Sequence, residues 1–341
     1  MLSLKQSAAL FLFCLAAFSP YFFTPTVAGL DSYHYLFALK VPESAFIGIK
    51  AALFLCLFAS TYSVALLGKA IEPKLWTAGF FCFGSIVWLM DSWKFETEQF
   101  AYPLLFLSLY LFFSNHKWLA LIPIAAAAIL WQGSALYLIA LGLSWRWLLL
   151  SIIPIAYFGW NKLGGLLPNF SVQENMPVFG QLYHAALIFG YSFVPKKLLL
   201  TLSFFFLLGL ANSKYAIHSV PFLAVGMAKL FWETKNLWVK SFAMAVPILG
   251  VLIASMMLVS YPLTGEQASA ARLAVQEANG ETIYNDWGYG HAIAYFGGVP
   301  KARAGGAWDV NCSDCIRLTE LELQPPCRCL NCPSRLAVYK C

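Results

Sequence analysis

The sequence predicts an all-α polytopic membrane protein with a small water-exposed domain at its C-terminal end. Of its 341 residues, 60% are hydrophobic and 11% are charged, whereas an ordinary soluble domain carries roughly 25% charged residues. Residues 1–261 carry 23 charged side chains, and the much shorter segment 262–341 carries 15. The deficit of charged residues excludes a soluble enzyme, a disordered tail and a nucleic-acid binder. The net charge of +6 does not indicate DNA binding, because the lysines stand singly between apolar runs.

Apolar stretches predict about eleven membrane-spanning helices. A bilayer core of roughly 30 Å requires about 20 apolar residues in a helix, and several of the stretches are short enough to merge or to be re-entrant. The predicted spans are 7–28, 45–68, 76–90, 100–114, 118–132, 134–145, 147–160, 182–195, 198–212, 217–231 and 241–261.

The distribution of basic residues predicts the orientation. With the N-terminus in the cytoplasm, ten Lys or Arg residues fall in inner connections, and the outer connections of the membrane domain carry only Lys40, Lys94, Lys162 and Lys214. This bias follows the positive-inside rule. An odd number of spans then places residues 262–341 outside a cell membrane. The first span is expected to be an uncleaved anchor, although Thr26-Val27-Ala28 also resembles a signal-peptide cleavage site.

Carboxylates concentrate on the predicted outer side. Six of the eight acids in the membrane domain fall in outer loops, namely Asp31, Glu43, Asp91, Glu96, Glu98 and Glu174. Carboxylates beside apolar helices must be solvated, paired or bound to a cation. For Glu43 and Asp91 we expect solvated loop charges.

Three outer segments carry the remaining acids. They are Gly29-Leu30-Asp31-Ser32-Tyr33-His34-Tyr35, Phe95-Glu96-Thr97-Glu98 and Phe170-Ser171-Val172-Gln173-Glu174. Carboxylate oxygens from several loops on one face are the ligands that a hard divalent cation prefers. A fourth segment, residues 285–298, sets Trp, Tyr and His among glycines, which favours a loop that approaches a ligand closely.

In this order and on this side, the four segments resemble motifs of the oligosaccharyltransferase catalytic subunit, in its single-subunit archaeal and bacterial form. Asp31-Ser32-Tyr33 is similar to the aspartate motif of that family's first outer loop, and Glu96-Thr97-Glu98 to its second acidic pair. Ser171-Val172-Gln173-Glu174 matches the Ser/Thr-Val/Ile-x-Glu motif of the long outer loop. Lys214-Tyr215 with Pro221 is similar to a late basic-aromatic-proline motif, although the family usually has arginine.

The outer domain of the family opens with Trp-Trp-Asp-Tyr-Gly, and this chain has Asp286-Trp287-Gly288-Tyr289-Gly290, followed by His291. The resemblance assigns these six residues to acceptor binding. Asp286 and Gly288 depart from the family motif, which recognises the hydroxyl two positions after the acceptor asparagine. The outer domain is also shorter than is usual in the family.

The resemblance implies a GT-C-like fold and an enzyme that moves a glycan from a polyprenyl phosphate or diphosphate to asparagine in Asn-x-Ser/Thr. Asp31 and Glu174 would be catalytic, and Asp31, Glu96, Glu98 and Glu174 would hold Mn²⁺ or Mg²⁺. Lys214 would bind the donor phosphate. Residues 1–261 would form the membrane catalytic domain, and residues 262–341 the extracytoplasmic domain with the Trp-Gly-Tyr-Gly motif and a Cys-rich tail.

Three other functions remain open at this stage. They are another GT-C enzyme acting on a lipid or on Ser/Thr, an inactive homologue, and a transporter or flippase. The six cysteines of the tail (Cys312, Cys315, Cys327, Cys329, Cys332 and Cys341) are compatible with disulfides, a zinc site or free thiols. His218 is expected to face the interior of a helix bundle.

Overall fold

A computed structural model of the chain is mostly helical, which confirms the helical character of the predicted fold. It describes residues 1–24, 26–28, 30–144, 184–258, 265–285, 289–302, 316–319, 328–331 and 337–340. Near the C-terminal end it adds a five-stranded sheet that the sequence did not predict.

Most helices between residues 1 and 258 follow the apolar stretches of the sequence, whereas the helix Leu30–Ala38 lies in the expected first outer loop and two more helices lie in the expected water-exposed domain. The helices are α1 Leu4–Phe22, α2 Leu30–Ala38, α3 Phe46–Ile71, α4 Ala78–Phe81, α5 Ile86–Asp91, α6 Thr97–Phe113, α7 Leu121–Leu130, α8 Ala135–Ser144, α9 Ala185–Ile188, α10 Lys196–Ala211, α11 Val220–Glu233, α12 Leu237–Leu258, α13 Gly265–Ala278 and α14 Gly290–Tyr295. The strands are β1 Thr282–Asn285, β2 Val299–Ala302, β3 Ile316–Thr319, β4 Arg328–Asn331 and β5 Ala337–Lys340.

Among the described residues, two helical stretches are long and apolar enough to cross a membrane. They are Glu43–Ile71, with 29 residues, and Leu237–Leu258, with 22 residues. The expected span 76–90 is instead divided into short helices, because Ser85 caps the start of α5 by accepting a hydrogen bond from the Trp88 N–H at 3.1 Å. The expected span 147–160 lies outside the described residues. The count of eleven spans is therefore not confirmed.

The chain forms two compact units, which we name the helical unit and the loop unit. The helical unit comprises Met1–Ser19, Ala52–Ser92 and Thr97–Met256. The loop unit comprises Pro20–Ala51, Trp93–Glu96 and Met257–Cys341, so it combines the first predicted outer loop with the C-terminal region.

The interior of the helical unit contains an aromatic cluster around His218. The His218 ring is fully buried, stacks on Trp131 with ring centres 5.1 Å apart, and lies edge-on to Tyr137. The Tyr137 hydroxyl forms a hydrogen bond of 3.0 Å with His218 Nδ1. These contacts confirm the expectation that His218 faces the interior of a helix bundle.

Two glycines allow a close backbone approach in the same unit. A Cβ atom on Gly226 of α11 would lie 2.1 Å from the Gly190 carbonyl oxygen and 2.7 Å from Val194 Cγ2. Both distances are too short for a real contact, so α11 reaches this neighbour only without a side chain at position 226.

The sheet of the loop unit has the strand order β2-β1-β3-β5-β4. Strand β1 pairs in parallel with β2 (Thr282 opposite Val299) and with β3 (Ile283 opposite Ile316), whereas β5 pairs antiparallel with β3 and β4. Helix α14 connects β1 to β2, and helix α13 contacts β1, β3 and β5. The buried side chains of Ile283 and Asn285 alternate with half-buried ones along β1, as expected for a sheet with one face covered.

We predict that Gly226→Ala destabilises the protein by about 1–3 kcal/mol, because the added methyl group forces overpacking against Gly190. Thermal unfolding in detergent measures this loss. Gly48→Ala is the matched control: Gly48 also lies in a helix, but a Cβ atom there meets nothing within 4 Å. Unchanged stability of Gly226→Ala would contradict the close approach.

Candidate functional site

Two segments that carry predicted site residues are joined in the loop unit by one serine. The Ser32 hydroxyl in the first turn of α2 donates to the Ala28 carbonyl oxygen at 2.6 Å and accepts from the Phe95 N–H at 2.7 Å. Ala28 also forms a parallel bridge with Lys94. The backbone of Asp31, next to Ser32, therefore lies beside the segment that carries Glu96, next to Phe95.

Aromatic side chains and one lysine pack next to this junction. The Tyr21 ring stacks on Trp93 with centres 5.9 Å apart, and its hydroxyl accepts from the Ala28 N–H at 3.0 Å. The Lys50 ammonium lies 4.9 Å from the centre of the Tyr21 ring and donates to the Thr24 hydroxyl and carbonyl oxygens. These contacts hold Thr24 and Ala28, which precede α2, in place.

Lys50 is a residue that sequence reasoning missed. Its side chain is buried, with 3% of its surface exposed, although it lies in the apolar helix α3. A single ionisable residue inside an apolar helix is itself a signal of structural or functional importance, because burying a charge is costly. Here the neutral oxygens of Thr24 and the face of the Tyr21 ring compensate that cost.

Helix α2 also packs against α14, which carries part of the fourth motif. The Tyr33 ring contacts Tyr295 and Phe296, with ring centres 5.3 and 6.1 Å apart, and the His34 ring lies 4.8 Å from the His291 ring. The loop unit thus brings together segments from three of the motifs that carry the resemblance: the helix of Asp31, the segment of Glu96, and the helix of His291.

The described part of the fourth motif, from Tyr289 onward, follows the carboxyl end of β1. Tyr289 is buried, and Gly290 and His291 begin α14, the helix that follows the strand. Strands β2 and β3 lie on opposite sides of β1 in the sheet. The connections that follow β1 therefore lead first to one side of it and then to the other, which makes β1 a topological switch point. Ligand sites of open α/β sheets lie outside the carboxyl ends of strands at such a point. Sequence reasoning missed this placement because it did not predict the strands.

The fold itself explains two glycines of the motif. Gly297 has a φ of +89° directly after α14, a conformation that favours glycine. A Cβ atom on Gly298 would lie 2.7 Å from Val275 Cγ2, so this position serves packing against α13. A Cβ atom on Gly290 would meet its nearest neighbour, Asn285 Nδ2, at 3.5 Å, an ordinary contact. Gly290 is therefore the motif glycine, among these three, that the fold does not require.

The charges around Tyr33 come from two residues. Arg272 of α13 forms an ion pair with Glu43 and lies 4.9 Å from the centre of the Phe296 ring. The expectation that Glu43 is merely a solvated loop charge is therefore wrong. Burial raises the pKa of the Tyr33 phenol, and Tyr295 and Glu43 raise it further, whereas Arg272 lowers it. The Tyr33 hydroxyl is therefore protonated at neutral pH.

Glu98 and Asp91 belong to the helical unit. Glu98 is buried in the first turn of α6, and its Oε2 atom lies 3.5 Å from the Tyr102 hydroxyl. The same hydroxyl donates to Asp91 Oδ2 at 3.0 Å, and Gln99 Nε2 donates to that oxygen at 2.9 Å. The expectation that Asp91 is a solvated loop charge is therefore also wrong. Gln99 and Tyr102 line a cavity of about 10 Å³, which is room for about one water molecule.

Of the four proposed metal ligands, the structure describes the side chains of Glu96 and Glu98. The Glu96 Oε1 atom is buried from solvent. Glu174, Asp286, Trp287 and Gly288 lie outside the described residues, as do the side chains of Asp31 and Lys214. Among the described residues, no group of three or more His, Cys, Asp or Glu side chains is arranged to hold a metal ion.

No family model matches the chain, and no curated protein matches it.

We predict that Ser32→Ala weakens the junction, because it removes the oxygen that accepts from the partly buried Phe95 N–H. An unsatisfied buried donor costs about 1–3 kcal/mol. Hydrogen exchange at the Phe95 amide should accelerate accordingly. Ser44→Ala, at an exposed serine of the same unit, is the control and should leave that amide unchanged. Equal exchange in both variants would contradict the role of Ser32.

Proposed function

We propose that the protein is a polytopic membrane glycosyltransferase, with about eleven spans and a cytoplasmic N-terminus. It transfers a glycan from a polyprenyl (dolichyl) phosphate or diphosphate carrier to asparagine in Asn-x-Ser/Thr of an acceptor polypeptide. The observation that supports this proposal best is the meeting of α2, the Glu96 segment and α14 in the loop unit. Residues far apart in the sequence, which the resemblance assigns to one active site, thereby share one unit.

The carboxylates would activate a poor nucleophile. The lone pair of an amide nitrogen is delocalised into the carbonyl group, so the acceptor asparagine attacks only when that delocalisation is reduced. We assign this task to Asp31 and Glu174, whose carboxylates accept hydrogen bonds from the amide N–H. As the N–C bond to the glycan forms, the C–O bond to the phosphate breaks, the phosphate leaves with the electron pair, and the amide proton passes to a carboxylate.

The donor set fits a hard divalent cation. Glu96 Oε1 is buried from bulk water, and a buried carboxylate oxygen requires a hydrogen bond, an opposite charge or a metal ion. Carboxylate oxygens are the ligands that Mn²⁺ and Mg²⁺ prefer. Asp31, Glu96, Glu98 and Glu174 would hold the ion. When bound, it would neutralise the charge of the departing phosphate.

Donor and acceptor would be recognised by different elements. Lys214 lies in the 3₁₀ helix Ser213–Ser219, directly before α11, and would supply positive charge to the lipid-linked phosphate. Tyr289, Gly290 and His291 lie at the carboxyl end of β1 and would bind the acceptor together with Asp286, Trp287 and Gly288. The tyrosine and histidine rings supply apolar walls and polar tips.

We predict that the purified protein glycosylates a fluorescent Asn-x-Thr peptide when lipid-linked glycan extract and Mn²⁺ are supplied. Glu96→Gln should depress turnover by about 10²-fold or more, because a neutral amide replaces a carboxylate at a cation site. Glu281→Gln is the matched control, since Glu281 is an exposed glutamate of the same unit. Glu174→Gln should behave like Glu96→Gln, and excess Mn²⁺ should rescue only part of either loss.

Two outcomes would contradict the proposal. One is the absence of peptide glycosylation with any lipid-linked donor, although the protein is folded. The other is turnover at the wild-type rate in both Glu96→Gln and Glu174→Gln, which would make the carboxylates incidental.

Acceptor choice provides a separate prediction. A site that reads a hydroxyl through buried hydrogen bonds discriminates by roughly 10⁴-fold, whereas apolar contact gives far less. Because Asp286 and Gly288 replace the residues that the family uses for this purpose, we expect Asn-x-Thr to be preferred over Asn-x-Ala only modestly. Competition between the two peptides measures the ratio. Strong rejection of Asn-x-Ala would contradict this prediction.

A further inference from the structure

Two histidines from distant parts of the chain lie in contact in the loop unit. His34 stands in the middle of α2 and is exposed, and His291 stands in the first turn of α14 and is half-buried. Their ring centres are 4.8 Å apart, and their ring planes are inclined by 61°. The resemblance gives His291 a role in acceptor binding but does not explain why its ring lies against His34.

The separation of the rings suits two ligands of one metal ion. Imidazole nitrogens bind transition metals at about 2.0–2.1 Å, so each ring centre lies about 3 Å from the ion. Two rings at a roughly tetrahedral angle then have centres about 5 Å apart. The observed 4.8 Å is close to this value, and the inclination of 61° makes the contact an edge-on one.

The surrounding contacts hold the two histidines in place. Tyr33, the residue before His34, packs on Tyr295 and Phe296 at the other end of α14. The Tyr295 hydroxyl donates to the Val41 carbonyl oxygen at 2.9 Å, which ties α14 to the chain after α2. These contacts hold α2 against α14, so an ion that binds both rings would have to order only the two side chains.

We propose that His34 and His291 form a two-histidine site for a transition-metal ion such as Zn²⁺ or Ni²⁺, with water completing the coordination. Imidazole selects these ions, whereas carboxylate oxygens select Mg²⁺ and Mn²⁺. The site is thus chemically distinct from the donor set of Asp31, Glu96, Glu98 and Glu174. A bound ion clamps α2 to α14, and this inference does not depend on the proposed glycosyl transfer.

The first test needs no substitution. The full chain is purified in detergent, its thiols are alkylated to exclude binding by cysteines, and histidines are modified with diethyl pyrocarbonate with and without Ni²⁺. Mass spectrometry of peptides should show that Ni²⁺ protects His34 and His291 together, at the same Ni²⁺ concentration. His116, an exposed histidine elsewhere, is the internal control and should stay reactive. Unchanged modification of His34 and His291 would overturn the proposal.

The second test measures affinity in variants. His34→Gln and His291→Gln should each weaken Ni²⁺ binding by at least about 10-fold, since changes to mere supporting residues around a metal already cost roughly 10–100-fold. The double variant should bind little less well than either single variant, because both ligands serve one ion. His116→Gln should bind as the wild type does. Equal Ni²⁺ affinity in all variants would show that the ion binds elsewhere and would overturn the site, whatever the result of the glycosylation assay.

Discussion

One buried hydroxyl group links two distant segments of the loop unit. Ser32 Oγ donates to the Ala28 carbonyl oxygen and accepts from the Phe95 N–H, so a single side chain satisfies two backbone groups from separate parts of the chain. Backbone groups inside a protein require such partners. Without this serine, α2 and the Trp93–Glu96 segment would lose a direct hydrogen-bonded link, and the Ala28–Lys94 bridge and the Tyr21–Trp93 stack would remain.

Other contacts of the unit involve the residues before α2 and the packing of α2 against α14. The segment before α2 is held by contacts of Tyr21 with Lys50 and Trp93. Helix α2 packs against α14 through the rings of Tyr33 and His34. Helix α14 follows β1 in the chain. The ion pair of Arg272 with Glu43 is largely exposed and contributes little stability by itself. Its effect is on the charge around Tyr33 and Tyr295.

The sequence predicted helices correctly where apolar stretches are long and uninterrupted. The stretches 45–68 and 241–261 correspond to α3 and α12 within a few residues. It failed where a local capping interaction overrides composition, as at Ser85, which starts a new helix inside the expected span 76–90. It also missed the sheet, because each strand has only four residues and alternates too briefly to be recognised.

For the site, motif order predicted that four segments form one site, which stays a prediction, and the structure describes parts of three of them in one unit. Pairings between distant residues were not predictable, because no local pattern indicates that Arg272 meets Glu43 or that His34 meets His291. Lys50 had a visible signal, a lone cation in an apolar helix, but its partner Thr24 follows only from the fold.

Cross-linking tests the central claim, the adjacency of Asp31 and Glu96, most directly. Cysteines are placed at both positions in the full chain, a short thiol-reactive cross-linker is added, and linked peptides are identified by mass spectrometry. We expect a peptide containing position 31 linked to one containing position 96. In the control, the second cysteine replaces the exposed Glu281 instead, and we expect no link between positions 31 and 281. Position 31 linked only to native cysteines, or not linked at all, would contradict the account.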